Sequence, residues 1–234
     1  MGQRYSRTIQ ELFKKLAHET DKLTQATRSH LTLSVEPSFA IYWLIPRLNK
    51  FKTQYPNIEL RISSSYKVEN LSKNNIDIGI RWGKGRYLGL TSILLFHNKL
   101  YPICSPDLLK KHTVKKINDL KKLVLLHEKD AITQPDYPDW RDWVKKFKAT
   151  EVNPESGLFL ETGYLVIQAA IDGQGVALER IELVKSAIQS GKLIQLFNLG
   201  IPETVNAYYL IFPEEKSSDP KIQSFVRWIK SEID

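Results

Sequence analysis

Between residues 31 and 52 the chain reads LTLSVEPSFAIYWLIPRLNKFK, and the period of its apolar positions changes partway along. Leu31, Leu33 and Val35 alternate with polar residues, as a half-buried strand requires. Pro37-Ser38 stops that strand, and an amphipathic helix follows, with Ser38 placed as its N-cap. A strand that ends at a helix N-terminus leaves free N–H groups and a positive dipole end at the sheet's carboxyl edge, where open α/β folds bind ligands. An ordinary capped turn would show the same pattern.

The alternation of strands and helices continues to the C-terminus. Segments 58–63, 76–81, 100–104, 123–127, 158–161, 176–178, 193–196 and 207–212 read as strands, and 165–170, 181–190 and 222–233 as helices. Pro102 marks its strand as an edge or a crossover. Ser105-Pro106-Asp107 repeats the capped helix start, with proline at the first helical position and aspartate on the dipole. The glycines of Gly83-Lys84-Gly85 and Gly173-Gln174-Gly175 read as turn formers. Together these features predict an α/β protein with a mixed sheet whose central strands are parallel. Upstream, Tyr5, Ile9, Leu12, Leu16, Glu19, Leu23 and Ala26 follow the spacing of a heptad seam interrupted by one charge. That seam predicts a helix over residues 1–30 that pairs with a second helix, dimerising through Tyr5, Ile9, Leu12, Leu16 and Leu23.

Composition narrows the function classes. The chain has 234 residues, of which 42% are hydrophobic and 26% charged, and no apolar run reaches the roughly 20 residues of a membrane span. The N-terminal residues lack the apolar core of a signal peptide, and the single cysteine, Cys104, has no intrachain partner, so a reducing cytoplasm is expected. A net charge of +8 suits nucleic acid, yet the lysines are scattered at helix-like spacing, which argues for solvated faces rather than a DNA groove. The five histidines form no HxxxH or HExxH pair, there is no GxSxG elbow, and neither glycine pair completes a phosphate or dinucleotide fingerprint. No metal site, cofactor or catalytic residue is expected, and Cys104 reads as a buried structural thiol. Trp140 and Trp143 are expected to pack the interior.

Several motifs then fall in order: PSF at 37–39, WLIPRL at 43–48, DIGIRWGKG at 77–85, CSP at 104–106, LLH at 125–127 and QAAIDGQGVAL at 168–178. With these the chain resembles the effector-binding domain of LysR-type transcriptional regulators, in particular the glycine-cleavage activator and β-lactamase regulator subgroup. The resemblance covers essentially the whole chain. It implies the fold of type 2 periplasmic binding proteins, with two Rossmann-like lobes joined by two crossover strands and preceded by a long linker helix. Lobe I would comprise residues 31–103 and 207–234, and lobe II residues 104–206. The family's winged helix-turn-helix is not recognised here, so DNA contact is expected only through a domain outside these residues.

Carried over by motif position, the candidate effector contacts are Ser38, Phe39, Ser63, Ser64, Ser65, Ser105, Thr162, Tyr164, Tyr208 and Tyr209. Helix N-termini and hydroxyls favour a small anion or an amino acid as effector. The partners implied are that effector and further copies of the chain, as a homodimer or homotetramer, with no membrane. A solute-binding protein of a transport system shares the fold but should carry an export signal. A regulator without its own DNA reader, acting through mixed oligomers, is the other alternative, and a small α/β enzyme would need a catalytic pair that the residues do not supply.

Overall fold

The computed structural model describes residues 29–66, 71, 74–129, 136–203 and 205–233. The dimerisation residues expected at Tyr5, Ile9, Leu12, Leu16 and Leu23 lie outside the described residues. Eleven strands are present among those described: β1 (Ser29–Val35), β2 (Ile58–Ser64), β3 (Ile78–Gly83), β4 (Leu90–Phe96), β5 (Lys99–Cys104), β6 (Leu125–Glu128), β7 (Leu158–Leu160), β8 (Val176–Arg180), β9 (Ile194–Gln195), β10 (Ile201–Pro202) and β11 (Ala207–Pro213). They form two sheets. The first has the order β2-β1-β3-β11-β4, parallel across β2, β1 and β3 and antiparallel where β11 enters. The second has the order β10-β5-β8-β6-β7, with β9 also paired to β5.

The chain crosses from the first sheet to the second between Phe96 and Lys99 and returns between Pro202 and Ala207. Leu100–Ile103 therefore pairs within the second sheet, although the sequence reading grouped it with the first lobe. Glu203 N–H donates to the Asn98 carbonyl at 3.0 Å, so the two crossings touch. Pro102 stands inside the sheet order because its face toward β9 and β10 falls between those two short partners. Its carbonyl accepts from Leu196 N–H at 2.9 Å, and its missing N–H, on the same side of an antiparallel strand, has no ladder position to fill.

Among the described residues six α-helices cover the sheets: α1 (Leu48–Gln54), α2 (Pro106–Lys111), α3 (Trp140–Phe147), α4 (Gly163–Ile171), α5 (Ile181–Gln189) and α6 (Pro220–Ser231). The helix expected directly after β1 is segmented. A π-helical turn, Phe39–Leu44, passes into a 3-10 turn, Ile45–Arg47, and only then into α1. Pro46 removes one N–H from the ladder and presses on the carbonyl one turn back, so a uniform α-helix cannot run through it.

The largest apolar core does not stop at the sheet boundary. Leu33, Ile80, Phe39 and Leu210 of the first sheet's side join Ile103, Ala177, Ile167 and Val184 of the second in one buried cluster. Helix α5 packs directly against the π-helical turn. Tyr42 hydroxyl donates to the Tyr164 carbonyl at 3.1 Å, and the Arg47 guanidinium donates to Ser186 Oγ at 3.4 Å. A second cluster inside the other lobe holds Trp140 and Trp143, whose indole N–H groups donate to the Leu126 and Leu199 carbonyls at 3.0 and 2.8 Å. Cys104 is fully buried, and burial pushes its thiol up to about 12, which makes it unreactive at neutral pH.

Candidate functional site

The first unexpected feature is the cap of the π-helical turn. Ser38 has helical backbone angles and makes no capping bond; Glu36 does that work. Its Oε1 accepts from Ser38 N–H at 3.1 Å and its Oε2 from Phe39 N–H at 2.9 Å, while Tyr208 hydroxyl donates to Oε2 at 3.0 Å. The Ser38 cap expected from sequence is thus replaced by a carboxylate two residues earlier. A longer, charged acceptor reaches both orphan amides and suits the positive end of the helix.

Glu36 opens onto a cavity of about 120 Å³ between the sheets. Its walls come from both lobes: Glu36, Tyr66, Arg81, Trp82 and Tyr208 on one side, Glu128, Tyr137 and Arg180 on the other. Most sit at or just past carboxyl ends of strands, because β1 ends at Val35, β3 carries Arg81 and Trp82 near its end, β6 ends at Glu128 and β8 at Arg180. That is where an α/β sheet exposes unpaired backbone and leaves room for a ligand.

Arg180 organises the centre. It is 6% exposed and donates from Nε to Glu203 Oε1 and Oε2 at 3.0 and 3.2 Å, with a second guanidinium nitrogen 2.9 Å from Oε1. Its guanidinium lies 4.8 Å from the Trp82 ring centroid, 4.7 Å from Tyr137 and 5.9 Å from Tyr208. Trp82 Nε1 donates to the same Glu203 carboxylate at 3.1 Å. Arg81 donates to the Ser34 carbonyl at 2.6 Å, the Ile80 carbonyl at 2.9 Å and Ser34 Oγ at 2.6 Å. Among the described residues Arg180 and Glu203 form an ion pair, while Glu36, Glu128 and Glu179 form none with any described cation.

The acids respond accordingly. Burial, opposed by Arg180 and reinforced by Glu36, holds the Glu128 carboxyl up at about 7. Burial and the nearby Glu128 hold Glu179 at about 8. Tyr137 hydroxyl donates to Glu128 at 3.2 Å. The Tyr66 phenol, raised by burial above its ordinary range, faces the Ser38 and Thr162 hydroxyls. At Gly163, the first residue of α4, a Cβ would meet Glu128 Oε2 and Ser38 Oγ, each at 3.0 Å, so the seam between the lobes is closed to a side chain there.

The residues expected from sequence separate in space. Tyr208 lines the cavity, and Ser38 and Thr162 stand at its edge beside Tyr66. Phe39 is fully buried against Trp43, Phe96 and Tyr208 and serves the core. Ser63 Oγ donates to the Leu33 carbonyl at 3.2 Å, Ser64 ends β2 exposed, and Ser65 N–H donates to the Val35 carbonyl at 3.0 Å. Tyr164 takes part through its carbonyl, which accepts from Tyr42. Tyr209 points to the opposite face from Tyr208 and packs with Leu71, Ile76 and Ile211. Ser105 caps α2, accepting from Leu108 N–H at 3.3 Å, but it follows the end of β5 that pairs with Ala177, at the far end of β8 from Arg180. It is not among the cavity-lining residues.

Sequence reasoning passed over Glu36, Tyr66, Arg81, Trp82, Glu128, Tyr137 and Arg180. A charged residue at the carboxyl end of an apolar strand was the available signal for four of them. Among the described residues no group of His, Cys, Asp and Glu could hold a metal ion, and no helix is long and apolar enough to cross a membrane.

Two α/β sheets linked by two crossings and closed over a polar cavity define a two-lobe binding domain of the periplasmic-binding-protein kind. The family model described as "LysR substrate binding domain" matches residues 24–234. The chain belongs to that family, whose members are LysR-type transcriptional regulators. It is 36% identical over 230 residues to the glycine cleavage system transcriptional activator of Escherichia coli K12, covering 97% of this chain and 73% of the relative. It is 30% identical to the transcriptional activator AmpR of Rhodobacter capsulatus, covering 85% of this chain and 65% of that protein. The solved AmpR effector-binding domain from Citrobacter freundii superposes with a TM-score of 0.71 at 24% identity, covering 88% of this chain and 98% of that one. The regulatory family and the two-lobe fold expected from the ordered motifs are thereby shown.

Proposed function

We propose that the chain is the sensing part of a cytoplasmic regulator, in which a small-molecule effector enters the inter-lobe cavity and biases the relative disposition of the lobes. That bias is passed to a helix-turn-helix outside these residues within a homodimer or homotetramer. The observation that carries the reading is the two-sided lining: Glu36, Trp82 and Tyr208 face Glu128, Tyr137 and Arg180 across one cavity. Only a ligand that touches both lobes gains more in one disposition than in another, and only such a difference shifts a population.

The test is thermal denaturation of the chain and of its Gly163→Val variant against a panel of amino acids, organic acids, purines and amines. Stabilisation of the parent by a member of the panel, lost in the variant, is the expected result. The Cβ of the added side chain enters the seam between Ser38 Oγ and Glu128 Oε2, each 3.0 Å away. A ligand whose effect survives the substitution undiminished binds elsewhere and refutes the reading.

A further inference from the structure

The charge around the cavity says which chemical class of effector it takes. Among the described residues, the amides of Ser38 and Phe39 at the start of the helical segment, which would suit an anion, are already occupied by Glu36. Arg180 is held by Glu203 and by the faces of Trp82, Tyr137 and Tyr208, and Arg81 donates to Ser34 and Ile80. Four carboxyl groups, Glu36, Glu128, Glu179 and Glu203, stand against these two guanidinium groups. Among the described residues Arg180 is paired to Glu203, which leaves Glu36 of the first lobe and Glu128 of the second lining one cavity from opposite sides with no ion-pair partner. The geometry points to a small organic cation, an amine without a carboxylate of its own, as the effector class of this cavity, bridging Glu36 and Glu128 with its apolar body against Trp82, Tyr66 and Tyr208.

This rests on the cavity being the effector site. A volume of about 120 Å³ has room for roughly eight water-sized groups at ~15 Å³ each, so a diamine with a short alkyl chain fits and a polycyclic cation does not. The described residues offer no three-ligand set for a metal ion, which leaves an organic ammonium as the cation that hydrogen-bonding carboxylates and aromatic faces can hold. Without such a ligand, burial and mutual repulsion keep protons on Glu128 and Glu179 near neutral pH. Among the described residues the groups facing Glu128 are Glu36 from the end of β1, Tyr66 from the segment after β2, Glu179 and Arg180 from β8, Tyr137 from the segment before α3 and the amide of Gly163 from α4. An ammonium entering between Glu36 and Glu128 displaces the proton on Glu128, so cation binding is linked to proton release.

Calorimetry of the whole chain with putrescine, succinate and glycine between pH 5.5 and 8 tests this. Putrescine is expected to bind. Its affinity is expected to rise by about tenfold per pH unit below the Glu128 pKa and to level off above it, since one proton is released per ligand. Glu128→Gln, which keeps shape and hydrogen bonding, is expected to weaken putrescine at least tenfold and to remove the rise with pH; near-UV circular dichroism verifies its fold. Failure of putrescine to bind overturns the proposal, as does unchanged affinity in Glu128→Gln. Tighter binding of succinate or glycine than of putrescine, lost in Gly163→Val, overturns the amine class while the cavity remains the effector site. Putrescine binding that ignores both substitutions removes the cavity reading itself.

Discussion

Replacing Arg180 by methionine is the sharpest perturbation of the site, because it leaves the Glu203 carboxylate, itself 4% exposed, facing the interior with its cation gone. Methionine fills much of the aliphatic stem but supplies neither the paired donors nor the charge stacked on Trp82 and Tyr137. Breaking one side of a buried ion pair costs about 3–5 kcal/mol. For a chain of this size that corresponds to a fall in Tm of roughly 6–20 °C. Pairing the change with Glu203→Gln removes the stranded charge, and Trp82 Nε1 can still donate to the amide oxygen introduced there. The double variant should therefore recover more than half of the loss, with a coupling of about 2 kcal/mol or more. Urea denaturation of the parent, the two single variants and the double variant closes the cycle. A coupling below about 0.5 kcal/mol would show that Arg180 is not held by Glu203 as described.

Ser38→Ala should cost less than about 0.5 kcal/mol of stability, whereas Glu36→Ala should cost about 1–2 kcal/mol because it alone caps the turn; chemical denaturation of both distinguishes the two caps. Gly175→Ala drives a Cβ into the Val124 carbonyl oxygen and should destabilise by about 1–3 kcal/mol, read as a lower urea midpoint with unchanged slope. Glu128 and Glu179 have folded pKa values raised to about 7 and about 8, above ordinary glutamates, so the folded state binds more protons between about pH 4.5 and 8. Their contribution to stability is fully present at the acid end of that window and is lost as pH rises through the folded values. Tm should fall accordingly on raising pH across the window, and Glu128→Gln should flatten the lower part of the curve.

The local features of the fold were legible where one short segment decides them. The alternation of Leu31, Leu33 and Val35, the Ser105-Pro106-Asp107 cap and the turn at Gly173 each depend on neighbours in sequence, and each appears as an element boundary. The Ser38 cap misled because serine before an apolar run is the commoner device, while a glutamate two residues ahead reaches back only once Tyr208 and the sheet hold it there. Strand β4 escaped notice because LTSILLF lacks a clean period of two: it stands at the end of the first sheet beside β11, and most of its residues are half-buried whichever face they point to. Site residues were harder to read. Tyr208 was found and Tyr209 accompanied it, although adjacent strand residues face opposite sides and only one can line a cavity. Ser105 was placed by analogy with Ser38, but β5 carries it away from the crossing. That Glu128, Arg180 and Glu36 line one cavity depends on sheet order, with β8 beside β6 in space and some fifty residues apart in the chain, and no local pattern carries that information.

The apolar cluster that runs from Leu33 to Val184 beneath both sheets makes the two lobes a single thermodynamic unit. If one half melts, the other loses part of its interior, since Phe39 and the π-helical turn would lose α5, and α5 would lose its cover. Heating should give one calorimetric transition whose van't Hoff and measured enthalpies agree. Cutting the backbone at either crossing should yield fragments that remain associated rather than two independent folded halves. An effector acting on such a body works against a shared interior, so its signal travels as a small slide of packed surfaces and not as the opening of a free hinge.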